Sequence, residues 1–167
     1  MLAADQGLND GMTRSSTTHS DVASVERFIP APADRIFAIL ADPSRHQEID
    51  GSGTVRGAKE GSQQLALGST FGMSMKAGFA YSMLSTIIEF EPDRRIAWQT
   101  RPVQSLPKQL VGGRIWRYEL EPRDGGTLVR ESWDISQEKH NWAVRGLRSR
   151  TIDAMTKTLE RIETALR

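Results

Sequence analysis

The stretch Gly112-Gly113-Arg114-Ile115-Trp116-Arg117-Tyr118-Glu119-Leu120-Glu121-Pro122, turning through Arg123-Asp124-Gly125-Gly126 into Thr127-Leu128-Val129-Arg130-Glu131-Ser132-Trp133-Asp134-Ile135, reads as one long β-hairpin. Successive side chains of a strand face opposite sides. Arg114, Trp116, Tyr118 and Leu120 therefore share one face, while Arg117, Glu119 and Glu121 point the other way. On the returning strand Val129, Glu131, Trp133 and Ile135 share a face. If the turn is the four residues from Arg123 to Gly126, Tyr118 falls opposite Glu131 and Trp116 opposite Trp133. An inner face that mixes aromatics with charge has the pattern of a lined cavity rather than of a plain packed core.

The rest of the chain supplies what such a hairpin packs against. Val22 to Ile29 reads as a strand ended by Pro30, which has no ladder donor. Ala31 to Leu40 switches to helical spacing, with Pro at its start and Ile36, Phe37 and Leu40 on one side, and Asp42-Pro43 closes it. A short helical turn through residues 44–48 follows. Strands are predicted over residues 53–57, 69–76, 81–91 and 96–100, the last two joined by a turn at Pro92-Asp93. Residues 101–107 read as loop, because two prolines spoil a central strand. From about Asn141 to Arg167, Ile152, Met155, Leu159, Ile162 and Leu166 step by three and four and form one apolar stripe on a long helix. A stripe of that kind needs cover, and an uncovered sheet face provides it. Residues 1–20 are polar and small, offer no periodicity to bury, and read as a flexible tail ahead of a single domain over 21–167, with Met12 as an alternative start.

Composition narrows the chemistry. At 167 residues, 38% hydrophobic and 26% charged, the chain is an ordinary globular length and mix. There is no cysteine, so disulfides and thiol nucleophiles are excluded. The three histidines, His19, His46 and His140, show no metal-ligand spacing, and no metal or other cofactor is expected. A net charge of +1 gives no global pull toward nucleic acid, and Arg145, Arg148 and Arg150 read as a solvated helical face. No apolar run reaches the length of a membrane helix and no secretory leader is evident, so a cytoplasmic protein without stable membrane insertion is the expectation. Nucleophile-elbow and phosphate-loop motifs are missing.

The order of elements, with Val25 to Pro43, Leu67-Gly68-Ser69-Thr70-Phe71, Ile88 to Trp98 and Glu121 to Val129, resembles the START-like (SRPBCC) superfamily, including its polyketide cyclase/dehydrase and lipid-transport grouping. The resemblance implies an α+β helix-grip fold, a curved antiparallel sheet wrapped around a long C-terminal helix with two short helices after the first strand. It also implies a cavity for an apolar or amphipathic small molecule such as a lipid or polyketide. Only some members are enzymes, and no shared catalytic motif carries over, so site residues must come from this chain's own alternation.

On that basis Phe71, Met73, Met75, Trp98, Arg114, Trp116, Tyr118, Glu131, Trp133 and Met155 are candidate ligand-binding residues, with Phe79 as a lid. The four tryptophans together suggest a large aromatic-lined interior, since indole N–H groups need partners. The loops 76–80 and 101–113 are candidate gates. Glu131 and Tyr118 form a candidate anchoring or proton-transfer pair, with His46 as an alternative base. A bulge that shifts the register, or an Arg114 partner at the rim, would instead leave Glu131 structural. Three functions stay open: binding without turnover, which is favoured; a cyclase or dehydratase using Glu131 or His46; and an interaction module, a homodimer for example, with a vestigial cavity.

Overall fold

The structure is a computed structural model and describes residues 20–61, 63–103 and 112–167. The proposed tail up to residue 19 and residues 104–111 of the proposed 101–113 gate lie outside the described residues. Seven strands form one antiparallel sheet: β1 (Val22–Ile29), β2 (Val55–Ala58), β3 (Thr70–Ala77), β4 (Phe79–Glu91), β5 (Arg95–Pro102), β6 (Arg114–Arg123) and β7 (Gly126–Asp134). Their spatial order is β1-β7-β6-β5-β4-β3-β2. The helices are α1 (Ala33–Leu40), α2 (His46–Ile49), α3 (Asn141–Arg145) and α4 (Arg148–Ala165), with a 3₁₀ turn at Pro43–Arg45. The sheet curls around α4, which packs on β1 and β7 and touches α2. This is the α+β helix-grip fold.

The hairpin has the register its sequence implies. Arg123 pairs with Gly126 around Asp124-Gly125, and the positive φ of Gly125, 78°, is what lets so short a loop close. Tyr118 lies opposite Glu131 and Trp116 opposite Trp133, with no shift along the ladder. Bulges occur elsewhere, between Val55 and Gly57 and between Ile87 and Glu89. The outward alternation holds too: Arg117 makes a fork with Glu89, its Nη2 2.6 Å from Oε1, on the face away from the helix.

Burial follows the apolar periods. Ile36, Phe37, Ile39 and Leu40 of α1 pack with Ile29, Ile96, Val129, Leu159 and Ile162 in the main core. A second cluster holds Ala23, Trp133, Ile135, Val144 and Met155. On α4 the predicted stripe is buried at Met155, Leu159 and Ile162, and only partly at Ile152 and Leu166.

Three expectations are corrected. The C-terminal helix is not continuous from Asn141, because the chain breaks between α3 and α4 at Gly146-Leu147. Arg101 and Pro102 belong to β5; Pro102 lies past the last β5–β6 pair, Thr100 with Arg114, so its missing N–H leaves no gap in that ladder. Residues 76–80 form no gating loop, since Ala77 pairs with Phe79 across Gly78, whose φ is 80°.

Candidate functional site

Between the sheet and α4 lies a cavity of about 640 Å³. Phe71, Met73 and Met75 of β3, Trp98 of β5, and Trp116 and Tyr118 of β6 contribute one wall, and Met155 and Thr158 of α4 close the other. Exposed lining residues, Ser52, Leu147, Arg150, Asp153 and Lys157, mark where it opens between the 50–54 loop and α4. That loop approaches α4 closely. Gly51 N donates to Thr158 Oγ1 at 3.0 Å, and a Cβ at Gly51 would run into the Ala154 carbonyl and the Thr158 nitrogen.

Glu131 is the chemical centre of the wall. It is 2% exposed, its Oε1 accepts the Tyr118 hydroxyl at 2.8 Å, and among the described residues its Oε2 has no partner. Burial pushes its carboxyl up to about 8, the Asp50 charge adds to the rise, and the Tyr118 bond opposes it. Near neutral pH the group is therefore mainly a carboxylic acid that has a proton to give. Burial and the Glu131 charge hold the Tyr118 phenol well above its ordinary range, so the hydroxyl stays a donor.

His46 joins this wall from α2. Its ring stacks on Trp98 at 5.1 Å and meets Phe71 edge-on at 5.4 Å, and Trp98 lies 5.5 Å from the Tyr118 ring. Nε2 sits 2.9 Å from the Leu40 carbonyl oxygen, which can only accept, so Nε2 carries the proton. Burial holds the imidazole below its usual range and keeps it neutral.

Arg114 borders the same cavity and is held by Glu138, whose Oε1 accepts Arg114 Nη2 at 2.7 Å. The other oxygen of this fully buried carboxylate accepts Gly112 N at 2.7 Å. Arg114 thus pairs with Glu138 and not with Glu131. Beside it, Ser85 and Thr100 line the cavity with buried hydroxyls 3.1 Å apart.

Ten of the candidate residues thus meet in one place: His46, Phe71, Met73, Met75, Trp98, Arg114, Trp116, Tyr118, Glu131 and Met155. Two do not. Phe79 is 69% exposed at the β3–β4 tip, against Tyr81, and Trp133 is sealed in the second cluster beneath Ala23 and Met155. Trp142 is 72% exposed, so the aromatic interior draws on fewer than four tryptophans. Sequence reasoning placed Asp50 only as a neighbour of His46 at a cavity mouth, and missed Gly51, Ser85, Thr100 and Glu138. A same-face alternation in β4 and β5 was the available signal for Ser85 and Thr100; Glu138 and the 50–54 loop carry none, because only chain crossing brings them here.

Fold and site together define a helix-grip protein with an internal cavity. The chain belongs to the polyketide cyclase/dehydrase and lipid transport family, whose model matches residues 21–167. The protein Rv0088 of Mycobacterium tuberculosis, itself uncharacterized, is 39% identical over 108 residues, which is 64% of this chain and 44% of that protein. The chain therefore matches less than half the length of this curated relative. Among solved structures, Ms6760 from Mycobacterium smegmatis has a TM-score of 0.66 at 16% identity, covering 88% of this chain and 91% of that one. DynU16, from the dynemicin biosynthetic locus, has a TM-score of 0.61 at 16% identity, over 87% of this chain and 48% of its own. At such identities these two likenesses concern the fold. Among the described residues, no helix is long and apolar enough to cross a membrane.

Proposed function

We propose that the protein binds an amphipathic small molecule in the cavity and that Glu131 is its polar anchor. The observation that carries this is the buried Glu131 Oε2, without a partner among the described residues, on the wall of a cavity of about 640 Å³. Cavities of roughly 300–1,000 Å³ take drug-sized molecules. An unsatisfied buried polar atom costs about 1–3 kcal/mol, which a ligand oxygen at Oε2 relieves. The open volume also speaks against a purely structural module with a vestigial cavity. Family membership supports an apolar or amphipathic ligand and leaves its identity to experiment.

Native mass spectrometry of the protein isolated from its own host tests this. A bound apolar molecule that is lost on Glu131→Leu supports the assignment; protein that comes through empty overturns a tight-binding role.

A second reading, proton-transfer catalysis of the cyclase or dehydratase kind, is favoured by one observation: a carboxyl held near 8 beside a phenol is poised to give and take a proton near neutral pH. Glu131→Gln separates the two. The amide keeps a donor and an acceptor but holds no transferable proton, so a merely anchored ligand keeps its affinity, whereas a general acid or base loses turnover with binding intact.

A further inference from the structure

Among the described residues, three buried side-chain atoms lack a hydrogen-bond partner: Arg95 Nε, Arg114 Nε and Glu131 Oε2. Arg114 and Glu131 both line the cavity. Native structures leave few such groups unpaired, so two on one cavity wall need a common explanation. Their placement is regular. Arg114, Trp116 and Tyr118 are alternate residues of β6, all lining the cavity, and Glu131 lies directly across from Tyr118. Four residues of strand span ~13 Å, so the two unsatisfied groups mark opposite ends of a row. The middle of the row is apolar, Trp116 paired with Trp98. At the Arg114 end, the strand pairings carry the row sideways through Thr100 and Ser85, so that end is polar over three strands.

Charge decides what kind of group each end accepts. The Arg114 guanidinium already faces the buried Glu138 carboxylate at 2.7 Å, and its buried unpartnered atom among the described residues is the Nε donor, so the charge is matched while a donor is left over. A ligand carboxylate there would set a second anion against Glu138 in a medium of low dielectric. A neutral oxygen meets no such penalty. At the other end Glu131 sits beside a phenol and within the field of Asp50, which disfavours a ligand anion as well.

We propose that the ligand is an elongated, electrically neutral molecule with an oxygen function near each end, one carbonyl or hydroxyl on Arg114 Nε and the other on the Glu131 carboxyl, with its apolar body along Trp116 and Trp98. This rests on binding in the cavity as proposed above and adds to it the substrate class and a second specificity residue, Arg114.

The test titrates three probes into the full chain by calorimetry: a ten-carbon aliphatic diketone with a carbonyl near each end, the monoketone of the same length, and the monocarboxylate. The diketone is expected to bind at least about ten-fold tighter than either of the others. Arg114→Lys keeps a cation for Glu138 but has no donor at the Nε position; it is expected to erase the diketone's advantage over the monoketone. Arg114→Met with Glu138→Gln removes both charges together and is expected to give the same result, so a folding defect in one variant does not decide the matter. Equal binding of diketone and monoketone, tightest binding of the carboxylate, or an advantage that survives both variants overturns the inference. Monoketone binding that falls on Glu131→Leu without any diketone advantage removes this inference and leaves the cavity's proposed function standing. No saturable binding of any probe overturns it as well, and the proposed function is then judged on the host-isolated protein alone.

Discussion

Tyr118 and Glu131 face each other across the β6–β7 ladder, and the phenol donates to Glu131 Oε1 at 2.8 Å inside a wall where both are buried. A carboxyl that among the described residues has one hydrogen bond and no cation beside it is costly to ionise, and burial is the largest cause of its rise to about 8. The pair therefore couples the fold's stability to pH.

The sign of that coupling is fixed by the direction of the shift. The unfolded carboxyl titrates near 4.5 and the folded one near 8, so the folded state keeps a proton that the unfolded state releases. The contribution of Glu131 is complete below 4.5 and declines as pH rises through 8. His46, lowered by burial, acts oppositely: its contribution is present above 6.5 and is lost as pH falls. Chemical denaturation of the native chain and Glu131→Gln at about pH 5 and about pH 9 is expected to show the Gln variant gaining on the native chain at the higher pH. A pH-independent gap between the two would show that Glu131 ionises normally.

Tyr118→Phe removes the bond that holds the Glu131 carboxyl down and leaves both of its oxygens without a partner among the described residues. Stability is expected to fall by about 1–3 kcal/mol and the Glu131 carboxyl to titrate still higher. Carbon-detected NMR titration of labelled glutamate reads the second effect directly; a carboxyl that moves down contradicts it.

Gly51→Ala places a methyl against the Ala154 carbonyl and the Thr158 nitrogen, backbone atoms of α4 that cannot swing away. Overpacking of this kind costs about 1–3 kcal/mol. Thermal unfolding is expected to drop, and the Gly51–Thr158 bond that holds the 50–54 loop at the cavity mouth is expected to be lost, seen as faster amide exchange at Gly51. Unchanged exchange at Gly51 would mean that the loop accommodates the methyl.

Glu138→Ala strips the carboxylate from Arg114 and from Gly112 N. Breaking a buried pair on one side costs about 3–5 kcal/mol. The Arg114 charge opens to the cavity, so the lower end of that range is expected, and urea denaturation gives the number. A loss no larger than for an ordinary surface substitution would indicate that Arg114 finds another partner.

Trp116 and Trp133 are direct cross-strand neighbours on one face, but Trp116 borders the cavity and Trp133 is 1% exposed in a closed cluster. Trp133→Ala is expected to cost about 3–5 kcal/mol of stability and to leave the ranking of cavity ligands unchanged. Trp116→Ala is expected to cost less stability and more affinity. Parallel unfolding and binding curves for the two variants check this, and a reversed pattern would place Trp133 in the site.

The hairpin was legible in the sequence because period-two alternation and the Asp124-Gly125 turn together leave one register, and that register alone sets Tyr118 against Glu131. Pro30 likewise marks the end of β1, and the three-and-four spacing of Met155, Leu159 and Ile162 marks the buried stripe of α4. These are properties of neighbours along the chain, which local stereochemistry determines.

Alternation assigns a side chain to a face of the sheet, but it does not say what covers that face at each point. Trp116 and Trp133 share a face; the path of α4 over β1 and β7 leaves one beside open space and roofs the other. The same holds for Asp50 and Gly51, which reach the cavity, and for Glu138, which reaches Arg114, only because distant segments cross there. The sequence by itself determined the helix-grip class, the hairpin register and the Tyr118–Glu131 pair. Tertiary structure alone decided that Arg114 belongs to Glu138, that His46 is buried on Trp98, and where the cavity is open, because those outcomes depend on packing between segments that no local pattern encodes.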